Sequence, residues 1–346
     1  MIYWMTELED SVLEIITYMD KLRVILVCDK KGHDDEGMKK ISRKIHASLE
    51  EISGIEAITL SNIEAYKENK NIDILHFLAG PTYRTVLISA LCKKRNNSIC
   101  SILTFNNPKW GILADTAIRL FKPDHIIVSS NNWKQWARRS GLPFSFFSVS
   151  GVDLLKFQPA SDSRRNQIRR ELNIPLNKIV ILHVGHLKHD RNLNVLLKVQ
   201  SHPDFQVVII VSASTQHSSS LVHQLEKNNC IVKRKYIPNI EEYYQAADCY
   251  LFPTVNPSAA VQIPLSILEA MATNLPVLTT CFGGLRSFIP DSYGVNYISP
   301  NQFGDLPMII KTLISHPSDT RALVMGFNWN FIANRLNKLY IDLINQ

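Results

Sequence analysis

Short apolar, β-branched runs alternate with amphipathic stretches along almost the whole chain. In the first half the runs are Arg23–Cys28, Ala57–Leu60, Asp73–Leu78, Ile99–Phe105, His125–Ser130 and Phe146–Ser150. In the second they are Ile179–Val184, Phe205–Ser212, Cys230–Arg234, Cys249–Thr254, Pro276–Thr280 and Gly294–Ile298. Continuous apolar runs mark strands covered on both faces, and a regular β-α succession makes parallel sheets the economical arrangement. The pattern predicts an α/β protein of two doubly wound halves. Gln158–Arg165 is polar, contains Pro159 and separates the two series, which puts a boundary near Ala160. The expected units are 1–159, 160–326 and a closing segment 327–346 that holds a terminal helix over Phe327–Ile344. Ahead of the first strand, Thr6–Glu9 has capping-box spacing, and Leu8, Val12, Ile15, Ile16 and Met19 lie on one helical stripe. That stripe is expected to pack on the first domain, with a membrane-surface helix as the alternative.

The chain has 346 residues, 45% hydrophobic and 20% charged, which excludes a disordered polypeptide. No apolar run approaches the roughly 20 residues that span a bilayer. The first residues lack the ordered basic, apolar and small-residue regions of a secretion signal, so a cytoplasmic location is expected. The 6 cysteines (Cys28, Cys92, Cys100, Cys230, Cys249 and Cys281) are dispersed without metal-site or redox spacing and read as buried thiols. A net charge of +7 favours anionic partners without naming one.

The stretch richest in chemistry begins at the strand Cys249–Thr254. It continues through a loop into Gln262–Ala272, then Asn274–Thr280 and the pair Gly283-Gly284. Pro264 fits a first helical turn, Asn274 a left-handed stop, and Leu275-Pro276 opens the next strand. A helix that follows a parallel strand presents free N–H groups and its positive dipole end at the carboxyl edge of the sheet, where a phosphate can bind.

These motifs resemble the nucleotide-sugar-binding core of the retaining glycosyltransferases with the GT-B fold, known as family four or group one. The resemblance is carried by Leu268-Glu-Ala-Met-Ala272, Asn274-Leu-Pro-Val277 and Gly283-Gly284. Ser150-Gly-Val-Asp153 with Phe157 and Pro159 is similar to the family's interdomain junction. His183-Val-Gly-His-Leu187 with Arg191-Asn192 is similar to its Val-Gly-Arg-Leu…Lys-Gly motif. Ala246-Ala-Asp248 and Phe327-Asn-Trp329 also fit. The match is good over about 146–340 and limited to strand layout over 1–145.

The resemblance implies two Rossmann-like domains facing across a cleft, the second holding the nucleotide sugar and the first the acceptor, with the terminal helix packing back toward the N-terminal domain. It implies transfer with retention, without a cofactor or an essential metal, and the sequence has no Asp-x-Asp pair. The catalytic candidates are Arg191, at the family's Lys position, and His186, at its Arg position, both placed to stabilise the departing diphosphate. The donor-binding candidates are Gly185, Glu269 (a ribose acceptor by resemblance), Gln262, Ile263, Pro264, Leu265, Gly283 and Gly284. For His186, Arg191, Glu269 and the two glycines the alternatives are a loop histidine, a surface charge, a dipole-complementing carboxylate and a plain turn.

Three features depart from the family. Val261 stands where the first of two glutamates eight positions apart is expected, Gln262-Ile-Pro264 replaces Gly-Phe-Gly, and Ser287 occupies a frequent Glu position. In the first domain the acceptor loop Asp29–Gly37 has only Gly32 and Gly37, and Asn106-Asn107 sits about where many relatives carry a histidine. Gly37, Asn106 and Asn107 are the acceptor-side candidates. His76 ends a strand and reads as a core histidine. Lys39, Lys40, Arg43 and Lys44, with Lys93-Lys94, Arg138-Arg139 and the adjacent Trp133 and Trp136, form either a face for anionic lipid or ordinary solvated helix surfaces. The expected protein is a membrane-peripheral, metal-independent hexosyl-type glycosyltransferase of the inner membrane face. It would transfer a sugar from a nucleotide donor to a glycan or lipid-linked acceptor and have no nucleic-acid partner. The alternative is a non-catalytic GT-B homologue acting as a binding or partner subunit. A dehydrogenase is excluded because no strand is followed by Gly-x-Gly-x-x-Gly.

Overall fold

The computed structural model describes residues 21–28, 37–68, 72–211 and 218–346. The Thr6–Glu9 cap, the apolar stripe to Met19, Gly32 and most of its loop, and Ser212 lie outside the described residues. All twelve predicted strands form. They are β1 (Leu22–Val27), β2 (Ile55–Leu60), β3 (Ile74–Phe77), β4 (Cys100–Phe105), β5 (His125–Val128) and β6 (Phe144–Phe146), then β7 (Ile179–Gly185), β8 (Phe205–Val211), β9 (Ile231–Lys233), β10 (Cys249–Phe252), β11 (Val277–Thr280) and β12 (Val295–Ile298). They build two six-stranded sheets in the orders β2-β1-β3-β4-β5-β6 and β12-β11-β10-β7-β8-β9. Pairing within the named strands is parallel throughout, so both sheets are doubly wound.

Strand β6 ends earlier than predicted. Phe147 N–H still reaches the Val128 carbonyl, but the Ser148 hydroxyl then accepts from Ser150 N–H at 3.0 Å and turns the backbone toward the second lobe. There Val152 N–H donates to the Phe327 carbonyl at 2.8 Å. A Cβ on Gly151 would lie 2.8 Å from Trp329 and Ile332, so glycine is what lets the terminal helix cross at this junction. That helix runs Trp329–Ile344, two residues later than predicted, because Asn328 caps it by accepting from Phe331 N–H at 2.7 Å.

The terminal helix returns to the first sheet. Trp329, Ile332, Leu336 and Tyr340 are buried with Val24, Leu26, Ile41 and Ile45, in one layer with the Gly37–Glu50 helix. The steps β3 to β4 to β5 to β6 run in one direction, so right-handed crossovers put the helices Tyr83–Arg95, Ile112–Leu120 and Asn131–Ser140 on the opposite face. In the second lobe, buried Arg169 of the Asp162–Glu171 helix donates to the Ala246 carbonyl and to Asp248, each at 2.7 Å. Asp248 also accepts from Val180 N–H at 2.7 Å, which ties this helix to the starts of β7 and β10. Asn274 takes φ 61°, the left-handed stop expected of it.

His76 is fully buried, as expected of a core histidine, and its ring joins Tyr340 Oη (2.7 Å) to Thr104 Oγ1 (2.6 Å), pinning the terminal helix to β3 and β4. Burial holds its pKa down at about 3, and burial likewise holds His183 of β7 at about 4. Both are neutral when folded and take up protons when unfolded, so their stabilisation is present above pH 6.5 and drains as the pH falls toward those values. Chemical denaturation between pH 6.5 and 4 is expected to show a loss of up to about 1.4 kcal/mol per pH unit for each histidine. His76→Gln should remove one of these contributions; an unchanged slope in that variant would contradict the assignment.

Candidate functional site

At the carboxyl end of β7 the backbone opens at Gly185, where an added Cβ would overlap Arg191 Nη1 and lie 3.5 Å from His183 Nε2. The missing side chain lets a guanidinium lie against the strand end. Arg191 is 7% exposed and donates from Nη2 to the Ala259 carbonyl at 2.9 Å. Its Nε has no hydrogen-bond partner, and among the described residues it forms no ion pair with a carboxylate. Burial lowers its pKa, the mark of a cation withdrawn from water without full compensation. Two further bare polar atoms lie at this edge. His183 engages the Leu251 carbonyl through Nδ1 at 2.9 Å, which leaves Nε2 as an unpartnered acceptor, and Thr254 Oγ1 beyond β10 has no partner either. Buried polar atoms are ordinarily paired, so this grouping fits a polar ligand that supplies the missing partners. His186 is half-buried beside them, and its charge bears on His183.

The helix that follows β10 runs Leu265–Ala272, with Pro264 as its N-cap at ψ 130° instead of within its first turn. Its beginning faces the other lobe and is closed against it. Gln262 N–H donates to the Asn106 carbonyl at 2.7 Å, and Gly284 N–H donates to the Gln262 carbonyl at 2.9 Å. Several expected donor contacts are therefore revised. Ile263 is fully buried in the second lobe's core, while Val261 and Leu265 join the first lobe's cluster beside Val149 and Trp329. Gln262 and Pro264 are buried in the seam. A Cβ on Gly283 would overlap the Gln262 carbonyl, and one on Gly284 the Ser129 carbonyl across the seam. Gly283 lets two backbones meet within the second lobe and Gly284 lets them meet across the seam, which is a packing reason distinct from approach to phosphate. Asn131 N–H also donates to Ser287 Oγ at 3.2 Å.

Glu269, one and a half turns into the helix, is 5% exposed. Tyr244 Oη donates to it at 2.8 Å, and Lys40 of the first lobe forms a short ion pair with its other oxygen. Tyr250 lies between this carboxylate and Arg191. Its hydroxyl donates to the Val184 carbonyl at 3.2 Å and it feels both charges. None of Lys40, Tyr244, Tyr250, His183 and Thr254 is read from sequence as a site residue. Lys40 reads there as part of a basic helix face and His183 as the first residue of the motif ending at Leu187.

On the first lobe, Asn106 is buried with its amide on Met38 Sδ at 3.2 Å, and Asn107 N–H binds the Gly80 carbonyl at 3.3 Å. Gly37 opens the Gly37–Glu50 helix. Three of the four basic residues named on that helix are engaged or buried, and Arg43 is exposed. Lys40 is committed to Glu269, Lys44 to Asp153 at 3.4 Å, and Lys39 is buried. Trp133 and Trp136 are packed with Phe105 and Trp110.

Two facing doubly wound lobes, with an anion-ready edge on the second and a terminal helix returning to the first, define the GT-B architecture. Residues 164–324 match the family model of glycosyl transferases group 1, which bears out the resemblance over the second half of the chain. D-inositol 3-phosphate glycosyltransferase of Corynebacterium kroppenstedtii is 26% identical over 223 residues, covering 57% of this chain and 48% of that protein. The chain thus spans about half the length of that curated relative. Among solved structures, a glycosyltransferase from Rickettsia africae superposes with a TM-score of 0.76 at 14% identity, covering 94% of this chain and 100% of that one. Anabaena HepE in complex with UDP and glucose does so with a TM-score of 0.69 at 14% identity, covering 91% and 98%.

Gly284→Ala forces a methyl group into the Ser129 carbonyl and should destabilise the chain by about 1–3 kcal/mol in denaturant unfolding. Gly304→Ala, where a Cβ meets nothing within 4 Å, should stay within about 0.5 kcal/mol of the parent. Equal stabilities would show that the seam is not held at Gly284.

Proposed function

We propose that the protein is a glycosyltransferase that takes a sugar from a nucleotide-activated donor and transfers it, with retention and without a metal or other cofactor, to a glycan or lipid-linked acceptor in the cytoplasm. The observation that carries this reading is Arg191, a buried cation without a carboxylate partner, set against Gly185 at the carboxyl edge of the second sheet. A guanidinium there offers a forked donor to the diphosphate and gains strength from the low-dielectric surroundings as negative charge collects on the leaving group. His186 beside it contributes a second, pH-dependent charge. In front-face displacement the departing phosphate oxygen takes the acceptor hydroxyl's proton while that hydroxyl's oxygen attacks the anomeric carbon. Glu269 accepts from the ribose hydroxyls once they replace Lys40, so donor entry exchanges an interlobe ion pair for ligand hydrogen bonds. The group 1 match over 164–324 and the UDP named in the HepE structure support a nucleotide sugar as donor.

A second reading rests on Val261, which is 9% exposed and packed into the first lobe's cluster where the family has a carboxylate. A GT-B subunit that binds a nucleotide or a partner without turnover would keep such a seam closed.

Thermal shift and calorimetric titration against nucleoside diphosphates, followed by a screen of nucleotide sugars for nucleoside diphosphate release with and without lipid extract, test both readings. A ligand at 100 times its Kd should stabilise the fold by about 2.7 kcal/mol. Arg191→Met and Glu269→Ala are each expected to weaken the tightest-binding nucleotide at least tenfold, and Val261→Ala by less than about twofold, since charged hydrogen bonds contribute about 1.5–3 kcal/mol. Binding without release under any condition favours the non-catalytic subunit. No binding, or equal effects of the three variants, removes the donor site.

A further inference from the structure

Between Pro81 and Ser140 the chain carries ten Lys or Arg and two Asp or Glu, a net +8 within a protein whose total is +7. The remainder of the chain is close to neutral, so the whole excess charge sits in one stretch. That stretch contains the three helices Tyr83–Arg95, Ile112–Leu120 and Asn131–Ser140, which form one outer layer of the first lobe. Both acidic residues there are engaged, Asp115 by Arg119 at 2.7 Å and Asp124 by Lys93. Lys94, Lys109, Lys122, Arg138 and Arg139 are exposed and form no ion pair among the described residues.

The same layer presents apolar side chains to solvent. Ile112 is 86% exposed, Leu113 69% and Leu120 70%, and the neighbouring helix adds Leu87 and Leu91 at helical spacing. Two adjoining helices thus turn leucine and isoleucine outward on a layer that also carries these unpaired cations. Isolated exposed apolar residues are ordinary, whereas a contiguous group rimmed by one sign of charge marks an interaction surface. The sheet side of these helices is already buried against β3, β4 and β5, so the outward residues have no role in the core.

We propose that this helical face docks on an anionic lipid bilayer. Ile112 and Leu113 enter the headgroup boundary, and the surrounding lysines and arginines hold the surface by charge. The layer has the orientation this requires. Ile112 and Leu113 begin a helix at the carboxyl edge of the first sheet, a few residues after Asn106 and Asn107, and the intervening loop is tied back by Lys109 N–H to the Pro81 carbonyl at 3.1 Å. A bilayer on this face therefore lies beside the acceptor side of the interlobe seam. Among the described residues no helix is long and apolar enough to cross a membrane, so the contact is peripheral. The biological use of the face rests on the lipid-linked acceptor reading, but its binding to lipid does not.

Flotation of the full chain with phosphatidylglycerol–phosphatidylcholine vesicles and with pure phosphatidylcholine vesicles, without any sugar donor, tests the proposal. Binding is expected to the anionic vesicles, to weaken with salt and to be far lower on the neutral ones. Lys94→Gln combined with Arg139→Gln should lower the partition coefficient about 25-fold, at about fivefold per cation. Ile112→Ser with Leu113→Ser should lower it at least tenfold. All four positions are exposed, so melting curves should match the parent. Lys198→Gln with Lys227→Gln, an equal charge change on the second lobe, should leave partition within about twofold. Arg191→Met should lose nucleotide and keep vesicle binding, which separates failure of this face from failure of the donor site. Equal binding to both vesicle types, parental partition in the face variants, or a self-association abolished by Ile112→Ser with Leu113→Ser in place of lipid binding would each overturn the proposal.

Discussion

The hydrogen bond from Gln262 N–H to the Asn106 carbonyl is the constraint around which the two lobes are arranged. It joins the loop after β10 to the end of β4, so the carboxyl edges of two parallel sheets meet head to head. In an open α/β sheet that edge is where loops and helix N-termini gather, and each lobe contributes its chemistry from there. Small residues make the approach feasible. Gly284 fits under Ser129, and Gly151 fits under Trp329 where the chain crosses back. With the seam fixed at these points, Lys40 comes within reach of Glu269, and Arg191 is left buried behind it.

The electrostatics of the seam are asymmetric. On the Glu269 side a buried carboxylate is matched by an ammonium from the opposite lobe and by a tyrosine hydroxyl, so its charge is well compensated. On the Arg191 side a guanidinium has one carbonyl and no carboxylate, beside a neutral imidazole that offers only a lone pair. A buried cation without a counter-ion is costly, and structures retain one where an anion completes it. The two sides are linked through Tyr250, whose hydroxyl bridges to the strand that ends at Gly185.

Much of the fold was legible in the sequence because its determinants are local. Apolar runs of strand length, polar connections and stops such as Asn274 are written within a few residues of one another, and all twelve strands appeared near their expected positions. Errors at ends came from side chains competing with the backbone, as with Ser148 at the end of β6 and Asn328 before the last helix. The site was less legible because its pairings are remote. Lys40 and Glu269 are 229 positions apart, and nothing in the run Lys39–Lys44 distinguishes the lysine that crosses the seam from its neighbours. Gly283 and Gly284 announced a close approach correctly in kind, but sequence could not say that the approaching group is the chain's own carbonyl. The exposed leucines of the first lobe were illegible for a similar reason, since a helical stripe reads the same whether it faces core or solvent.

Val261 connects these observations. Its side chain sits among Val149, Leu265 and Trp329, in the apolar cluster that also receives the terminal helix. A glutamate at this position, as in the resemblance, would bring a charge into that apolar cluster unless the lobes stood apart. Valine removes that penalty and adds apolar area to the interlobe contact, so the substitution and the closed seam are two expressions of one choice. The loss of the loop glycines follows the same logic. With isoleucine where the family pattern has a loop Phe between glycines, residue 263 fills the second lobe's core. At the edge formed by Gly185 and Arg191, by contrast, burial without pairing has been kept.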